Sequence, residues 1–216
     1  MVIQESQVST VLSIKRLSRY LTHLRHLRKK GSGIGFSASQ LGRELGVHET
    51  QVRKDLAMTG LEGRPKTGHS IEEAITAIEK YFNIADTAEA FLIGVGYLGT
   101  AILGYHSRKN SPPSGIKIVA AFDNGDDKIG KTVHGIKVMP VSKLTDLSNR
   151  MNVAIGIICT PPEGAQETAN LLIKGGVKAI WNFSPVGLSV PESIILENSD
   201  IEQGVAYLKR RLNEQT

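Results

Sequence analysis

The stretch Gly94-Val95-Gly96-Tyr97-Leu98-Gly99 constrains this chain most, because of what flanks it. The apolar run Ala90–Val95 reads as a strand leading into it, and Thr100–His106 reads as a helix leading out. A second strand is expected over Ile116–Phe122, ending in Asp123. A G-x-G-x-x-G that leaves a strand and opens a helix is the turn on which Rossmann-type sheets hold a dinucleotide pyrophosphate. Gly94 permits the tight turn, Gly96 lets backbone approach the phosphates, and Gly99 lets helix and strand pack closely. Val95, Tyr97 and Leu98 complete the loop, and the helix start offers free N–H groups and a positive dipole end. Asp123, 24 residues after Gly99, can accept from a ribose 2′-hydroxyl and would repel a 2′-phosphate, which predicts NAD(H) rather than NADP(H). The competing readings are tight packing without a ligand for the glycines, and a surface-turn carboxylate for Asp123.

The α/β rhythm continues. Val153–Cys159 is a near-continuous apolar run, as expected of a strand buried on both faces. A helix over Glu163–Lys174 and a strand over Lys178–Phe183 follow. Between Asp123 and Val153, Gly130–Val141 suggests a short strand and Ser142–Asn149 a helix. The loops Thr160-Pro161-Pro162-Glu163 and Asn182-Phe183-Ser184-Pro185-Val186 each leave the C-terminal end of a strand, where open α/β sheets bind ligands. Thr160, Pro161 and Asn182 are accordingly placed around a nicotinamide ring, with proline-imposed loop geometry as the alternative.

The first third is different in kind. Residues 1–69 hold 12 Lys/Arg against 5 Asp/Glu, while residues 70–216 hold 14 against 16, so the net charge of +5 divides into +7 and −2. Such asymmetry points to a polyanion-binding end. Ser13–Lys30 reads as an amphipathic helix with Ile14, Leu17, Leu21, Leu24 and Leu27 on one face. Gln40–Leu45, capped by Ser37 or Ser39, and Glu49–Met58 follow as two short helices around Gly46. That is a helix-turn-helix pattern. Thr50, Gln51, Arg53 and Lys54 face outward, with residue types suited to base edges and phosphates. The Gly/Pro-punctuated loop 60–69 brings Arg64 and Lys66 and reads as the wing of a winged helix. Solvated cations on a helical docking domain are the alternative. Ser70–Asn83 reads as a further helix bridging the two modules.

Several classes are excluded or disfavoured. Hydrophobic residues at 40% and charged residues at 22% are those of an ordinary globular chain, not a disordered one. No signal-like start and no bilayer-length apolar run is visible, so a cytoplasmic protein without membrane association is expected. A single cysteine, Cys159, allows no intramolecular disulfide. No catalytic constellation emerges and no metal site is expected; His23 and His26 share a helix face, but no carboxylate partner is placed by spacing. The fold expected is α/β: a winged helix-turn-helix domain over 1–84, a Rossmann-like parallel-sheet domain over 85–198, and a C-terminal helix over 199–216. That tail carries Ile201, Val205, Leu208 and Leu212 along one stripe and suits either packing on its own sheet or contact with a second subunit.

The combination closely resembles the Rex family of redox-sensing transcriptional repressors. The resemblance covers about residues 14–208 and rests on Gln51-Val52-Arg53-Lys54-Asp55-Leu56, Gly94–Gly99, Ala120-Ala121-Phe122-Asp123, Pro161–Gln166, Asn182–Val186 and Val190-Pro191-Glu192. It implies a non-enzymatic homodimer on double-stranded operator DNA, with the C-terminal helix exchanged between subunits. It also implies that NADH releases DNA while NAD⁺ permits binding, with Tyr105 and Asp200 in the switch. Three places depart from the family pattern: Ala57-Met58-Thr59-Gly60 after the third helix, the wing Gly63–His69, and Thr22, where some relatives carry arginine. The alternative to this reading is a small Rossmann dehydrogenase or CoA/metabolite-binding protein carrying a basic docking domain. A DNA-binding protein with a vestigial Rossmann domain is a third class.

Overall fold

The computed structural model describes residues 5–31, 35–64, 68–107 and 115–214; Lys66, one of the two expected wing cations, lies outside them. The chain divides into two compact units, Met1–Asp86 and Thr87–Thr216.

The first unit opens with a long helix, α1 (Glu5–Lys30), which begins before the expected Ser13. Its buried stripe is Leu17, Tyr20, Leu21 and Leu24, whereas Ile14 stays 39% exposed beside Val11 and Leu12. The short strand β1 (Gly35–Phe36) leads to α2 (Ala38–Leu45), where the Ser37 hydroxyl accepts from the Gln40 N–H as N-cap. Gly46 ends α2 in the left-handed conformation, and α3 (Glu49–Ala57) starts three residues on, capped by His48. Strand β2 (His69–Ser70) pairs antiparallel with β1, and α4 (Ile71–Tyr81) closes the unit. Arg64 and Gly68 exchange both backbone hydrogen bonds, forming the base of the wing. Leu17, Tyr20, Leu24, Leu41, Leu56 and Ile75 are all essentially inaccessible and share one core. Each contributes about 1.5–3 kcal/mol by burial, which outweighs any helix propensity in segments this short.

The second unit is a seven-stranded sheet in the order β5-β6-β4-β3-β7-β8-β9. Its strands are β3 (Ala88–Ile93), β4 (Ile116–Asp123), β5 (Thr132–Val133), β6 (Ile136–Pro140), β7 (Ile155–Ile158), β8 (Ala179–Asn182) and β9 (Ile195–Asn198). All pairings are parallel except the β5–β6 hairpin. Helices α5 (Tyr97–His106), α6 (Leu144–Met151), α7 (Pro162–Lys174) and α8 (Ile201–Asn213) complete the unit. The expected α/β architecture, with helical N-terminal region, Rossmann-like sheet and C-terminal helix, is the one adopted. Phe91, Ile93, Phe122 and Ile158 form one buried cluster and Leu92, Leu103, Ala121 and Ile157 another, so the central strands are buried on both faces. Three details differ from expectation, the first being that α5 begins at Tyr97 rather than Thr100. The segment read as one strand near 130–141 is a hairpin turning at His134-Gly135, and β9 was not anticipated because Glu197 and Asn198 leave it half-polar at the sheet edge. Among the described residues no helix is long and apolar enough to cross a membrane.

Candidate functional site

The sheet order reverses at β3, with β4 on one side and β7 on the other, and that is where a cleft is expected. A cleft of about 980 Å³ lies there, lined by Gly94, Gly96, Leu98, Asp123, Thr160 and Pro161 among others. Gly94 has φ +96°, and a Cβ on it would meet the Cys159 carbonyl at 2.6 Å. A Cβ on Gly99 would collide with the Gly94 carbonyl oxygen, so the turn and α5 close only with glycine there. Gly96 is the opposite case: nothing lies within 4 Å of the Cβ it lacks. It opens α5 as N-cap, so the free helix start faces an unobstructed cradle suited to an anionic group.

Asp123 closes the far end. Its Oδ2 accepts from the Val95 N–H at 2.7 Å and its Oδ1 from the Gly125 N–H at 2.8 Å. Burial pushes this carboxyl up, but the two N–H donors and the Lys128 ammonium outweigh it and hold it below the usual carboxylate range. It is therefore ionised and fixed, ready to accept from hydroxyls. Thr160 Oγ1 is buried without a partner while its residue lines the cleft, an orphan that suits a polar ligand group. These features fit a dinucleotide.

The remaining expected ligand residues fall elsewhere. Val95 is buried and acts through its N–H on Asp123, Tyr97 projects fully into solvent, and Gly99 packs beneath the turn. Asn182 is 1% exposed and does not line the cleft. Its amide donates to the Val186 carbonyl and to Asn198 Oδ1, while its own oxygen accepts from the Ser184 N–H, so it shapes the loop that presents Phe183 and Pro185. Sequence reasoning did not single out Lys128, Glu167, Thr168 or Leu171 as lining. The last three recur with Gly164 at helical spacing along one face of α7, a periodicity that points at the cleft once the strand before it is placed. Cys159 also lines it, with burial pushing its thiol up to about 12.

In the first unit, Thr50, Arg53 and Lys54 are exposed on α3. Arg53 lies 3.3 Å from Glu49 and Arg64 lies 2.7 Å from Glu73, both pairs solvent-exposed and so readily exchanged for phosphate. A groove of about 740 Å³ runs between α3 and the wing base, lined by Arg53, Arg64, Gly68 and His69. Gln51 differs from expectation: its amide nitrogen donates to Asp55 Oδ1 at 2.8 Å, so it is not free for bidentate reading of adenine. Asp55 is the residue that spacing missed. It is wholly buried, and its carboxylate also accepts from Arg16 Nε at 2.6 Å, Arg16 Nη2 at 2.9 Å and the Tyr20 hydroxyl at 2.9 Å. Burial opposes its charge, yet Arg16, Gln51, Ser13 and Tyr20 together hold it ionised below the usual range. It shares the inner face of α3 with Val52 and Leu56, a placement that already implied a partner. His23 pairs with Glu44, and among the described residues no group of three His, Cys, Asp or Glu is placed to hold a metal. Tyr105 is half-exposed on α5, and Asp200 is the N-cap of α8, accepting from the Glu202 N–H.

Residues 11–57 match the family model described as putative DNA-binding protein N-terminus, and residues 85–186 the one described as CoA binding domain. The redox-sensing transcriptional repressor Rex of Treponema denticola is 38% identical, over 97% of this chain and 98% of its own. Its counterpart from Thermoanaerobacter sp. is 33% identical, over 99% and 93%. The crystal structure of RSP, a Rex-family repressor, superposes with a TM-score of 0.85 at 35% identity, covering 95% of both chains. RSP in complex with β-NAD⁺ and operator DNA gives 0.85 at 33% identity, covering 100% of this chain and 94% of that one.

Proposed function

The chain belongs to the Rex family of redox-sensing transcriptional repressors, and from that premise we infer how its own residues divide the work. It binds operator DNA and senses NAD(H), with NADH releasing the DNA. The observation that carries the assignment of residues is the pairing of a glycine-cradled cleft ending in Asp123 with an exposed cationic row on α3. Arg53, Lys54 and Thr50 contact DNA from α3 and Arg64 from the wing base, with Lys66 expected beside it. Gln51 serves by holding Asp55. Gly96 leaves room for the pyrophosphate, Gly94 and Gly99 let the turn close beneath it, Val95 and Leu98 carry the turn, and Asp123 accepts from the adenosine ribose. Thr160, Pro161, Phe183 and Pro185 surround the nicotinamide end.

The bound dinucleotide supplies one redox-dependent difference, a hydride and the ring's positive charge. Apolar side chains such as Phe183 and Pro185 favour the neutral ring over the cation. That preference shifts the repressor between DNA-competent and released forms, and a near-complete shift needs about 5.5 kcal/mol of differential affinity. The protein acts in the cytoplasm as a homodimer through α8, performs no catalysis, and uses Tyr105 and Asp200 in the switch. Supporting the dimer, Val205, Tyr207, Leu208 and Leu212 on α8 are 46–64% exposed.

Selection of a bound duplex from a random pool, then anisotropy titration with NADH and NAD⁺ at fixed salt, tests this reading. Release by NADH and not by NAD⁺ is the expected result. A complex indifferent to both sinks it. Coenzyme A is the second reading, favoured by the description of the domain matched over 85–186, and a thermal shift by coenzyme A in place of NADH would select it.

A further inference from the structure

Among the described residues lining the cleft, Lys128 is the one cation, set against Asp123, Glu163 and Glu167. Its Nζ stands 3.3 Å from Asp123 Oδ2 and 3.5 Å from Oδ1, bridging both oxygens of the carboxylate. The turn that follows β4 holds it there, since the Lys128 N–H donates to the Gly125 carbonyl and the Gly125 N–H donates to Asp123. Lysine and carboxylate therefore approach the ribose together, and Lys128 keeps about a third of its side chain accessible for a ligand.

Resting on the NAD(H) reading above, we propose that Lys128 is a second specificity determinant, a masked seat for a 2′-phosphate that Asp123 alone keeps closed. Lys128 offsets the charge of Asp123, while Asp126 and Asp127 keep the turn as a whole acidic. Rejection comes from the acceptor-only carboxylate, which takes a hydrogen bond from a 2′-hydroxyl and has none to give to a phosphate. With that charge removed, the ammonium is released from Asp123 and pairs with the 2′-phosphate of NADP(H).

The test is calorimetric titration of the full chain with NADH and with NADPH, for wild type, D123N, K128M and the double variant. Asparagine is near-isosteric and keeps an oxygen for one of the two N–H donors. In wild type NADH binds and NADPH binds weakly. D123N gains NADPH affinity by about tenfold to a hundredfold, the worth of one charge-assisted contact, and the double variant loses that gain. K128M alone weakens NADPH more than NADH, which keeps the test open should D123N fold poorly. A double variant binding NADPH as well as D123N does, or K128M weakening both ligands equally, overturns the proposal while the NAD(H) reading stands. Wild type that binds no NADH overturns both.

Discussion

At the scale of single residues, two glycines in one motif make opposite demands. Gly99 is required by the fold, since its Cβ would strike the Gly94 carbonyl, whereas Gly96 is required only by what enters the cleft. Gly96→Ala is therefore expected to be within about 0.5 kcal/mol of wild type in stability, the usual range for a substitution that disturbs no packing. It should bind operator normally and fail to release it with NADH. Thermal melting and the anisotropy titration check both halves. Asp55 lies at the other extreme. Asp55→Ala strands Arg16 and the Tyr20 hydroxyl in a closed interior, and a loss of about 3 kcal/mol is expected from chemical denaturation, the lower part of the range for a broken buried pair because Arg16 is 21% exposed. The motif Gln51–Leu56 displayed this carboxylate but not its partner. Arg16 is 39 residues away, and long-range pairing leaves no periodic trace. Lys128 was equally hidden, because only the turn after β4 carries it back to Asp123.

At the scale of elements, the amphipathic helices, the central strands and the glycine turn were legible because each repeats a pattern set by its own geometry. Strand β9 and the α5 start were not: an edge strand need not be apolar, and Tyr97 and Leu98 look like loop until the helix start is placed. The position of Asn182 after a strand suggests a ligand residue, yet its amide is spent on the loop at Val186 and on Asn198 of β9. The wing base carries a titratable group, His69, stacked on Phe36 with its Nδ1 buried and unpartnered. Burial and the nearby Arg53 push its imidazolium down against a smaller opposing pull from Glu73. The fold thus favours the neutral ring, so this stability is present above the unfolded value near 6.5 and lost as pH falls below it. His69→Phe should flatten that loss, seen as a smaller drop in denaturation midpoint between pH 7.5 and pH 5.5 than in wild type. At α8, Leu208→Glu places charge on the exposed apolar stripe; sedimentation should then show a monomer, and operator affinity should fall with it.

At the scale of the whole molecule, charge and chemistry are segregated along the chain. The cations of the first 69 residues dominate its net charge, while the ligand cleft carries more carboxylates than cations. Operator affinity is therefore expected to fall steeply with salt, and Arg53→Ala should lower the slope of log K against log salt by about one while leaving NADH affinity unchanged. An unchanged slope would remove Arg53 from the phosphate-contacting set.

The stitching of β9 to β8 has a mechanical consequence. Asn198 is bonded to Asn182, the Ser199 N–H to the Asn182 carbonyl, and the Ser199 hydroxyl to the Trp181 indole, and the very next residue caps α8. The tail helix thus leaves the sheet with no slack, like a pointer bolted to its dial. Only the backbone torsions at residues 199–200 separate the bonded sheet edge from the helix, and the same Asn182 fixes the loop bearing Phe183 and Pro185. Were a ligand to displace that loop, the shift would reach the root of the pointer through Asn182, and a small turn there would be magnified along thirteen residues of helix.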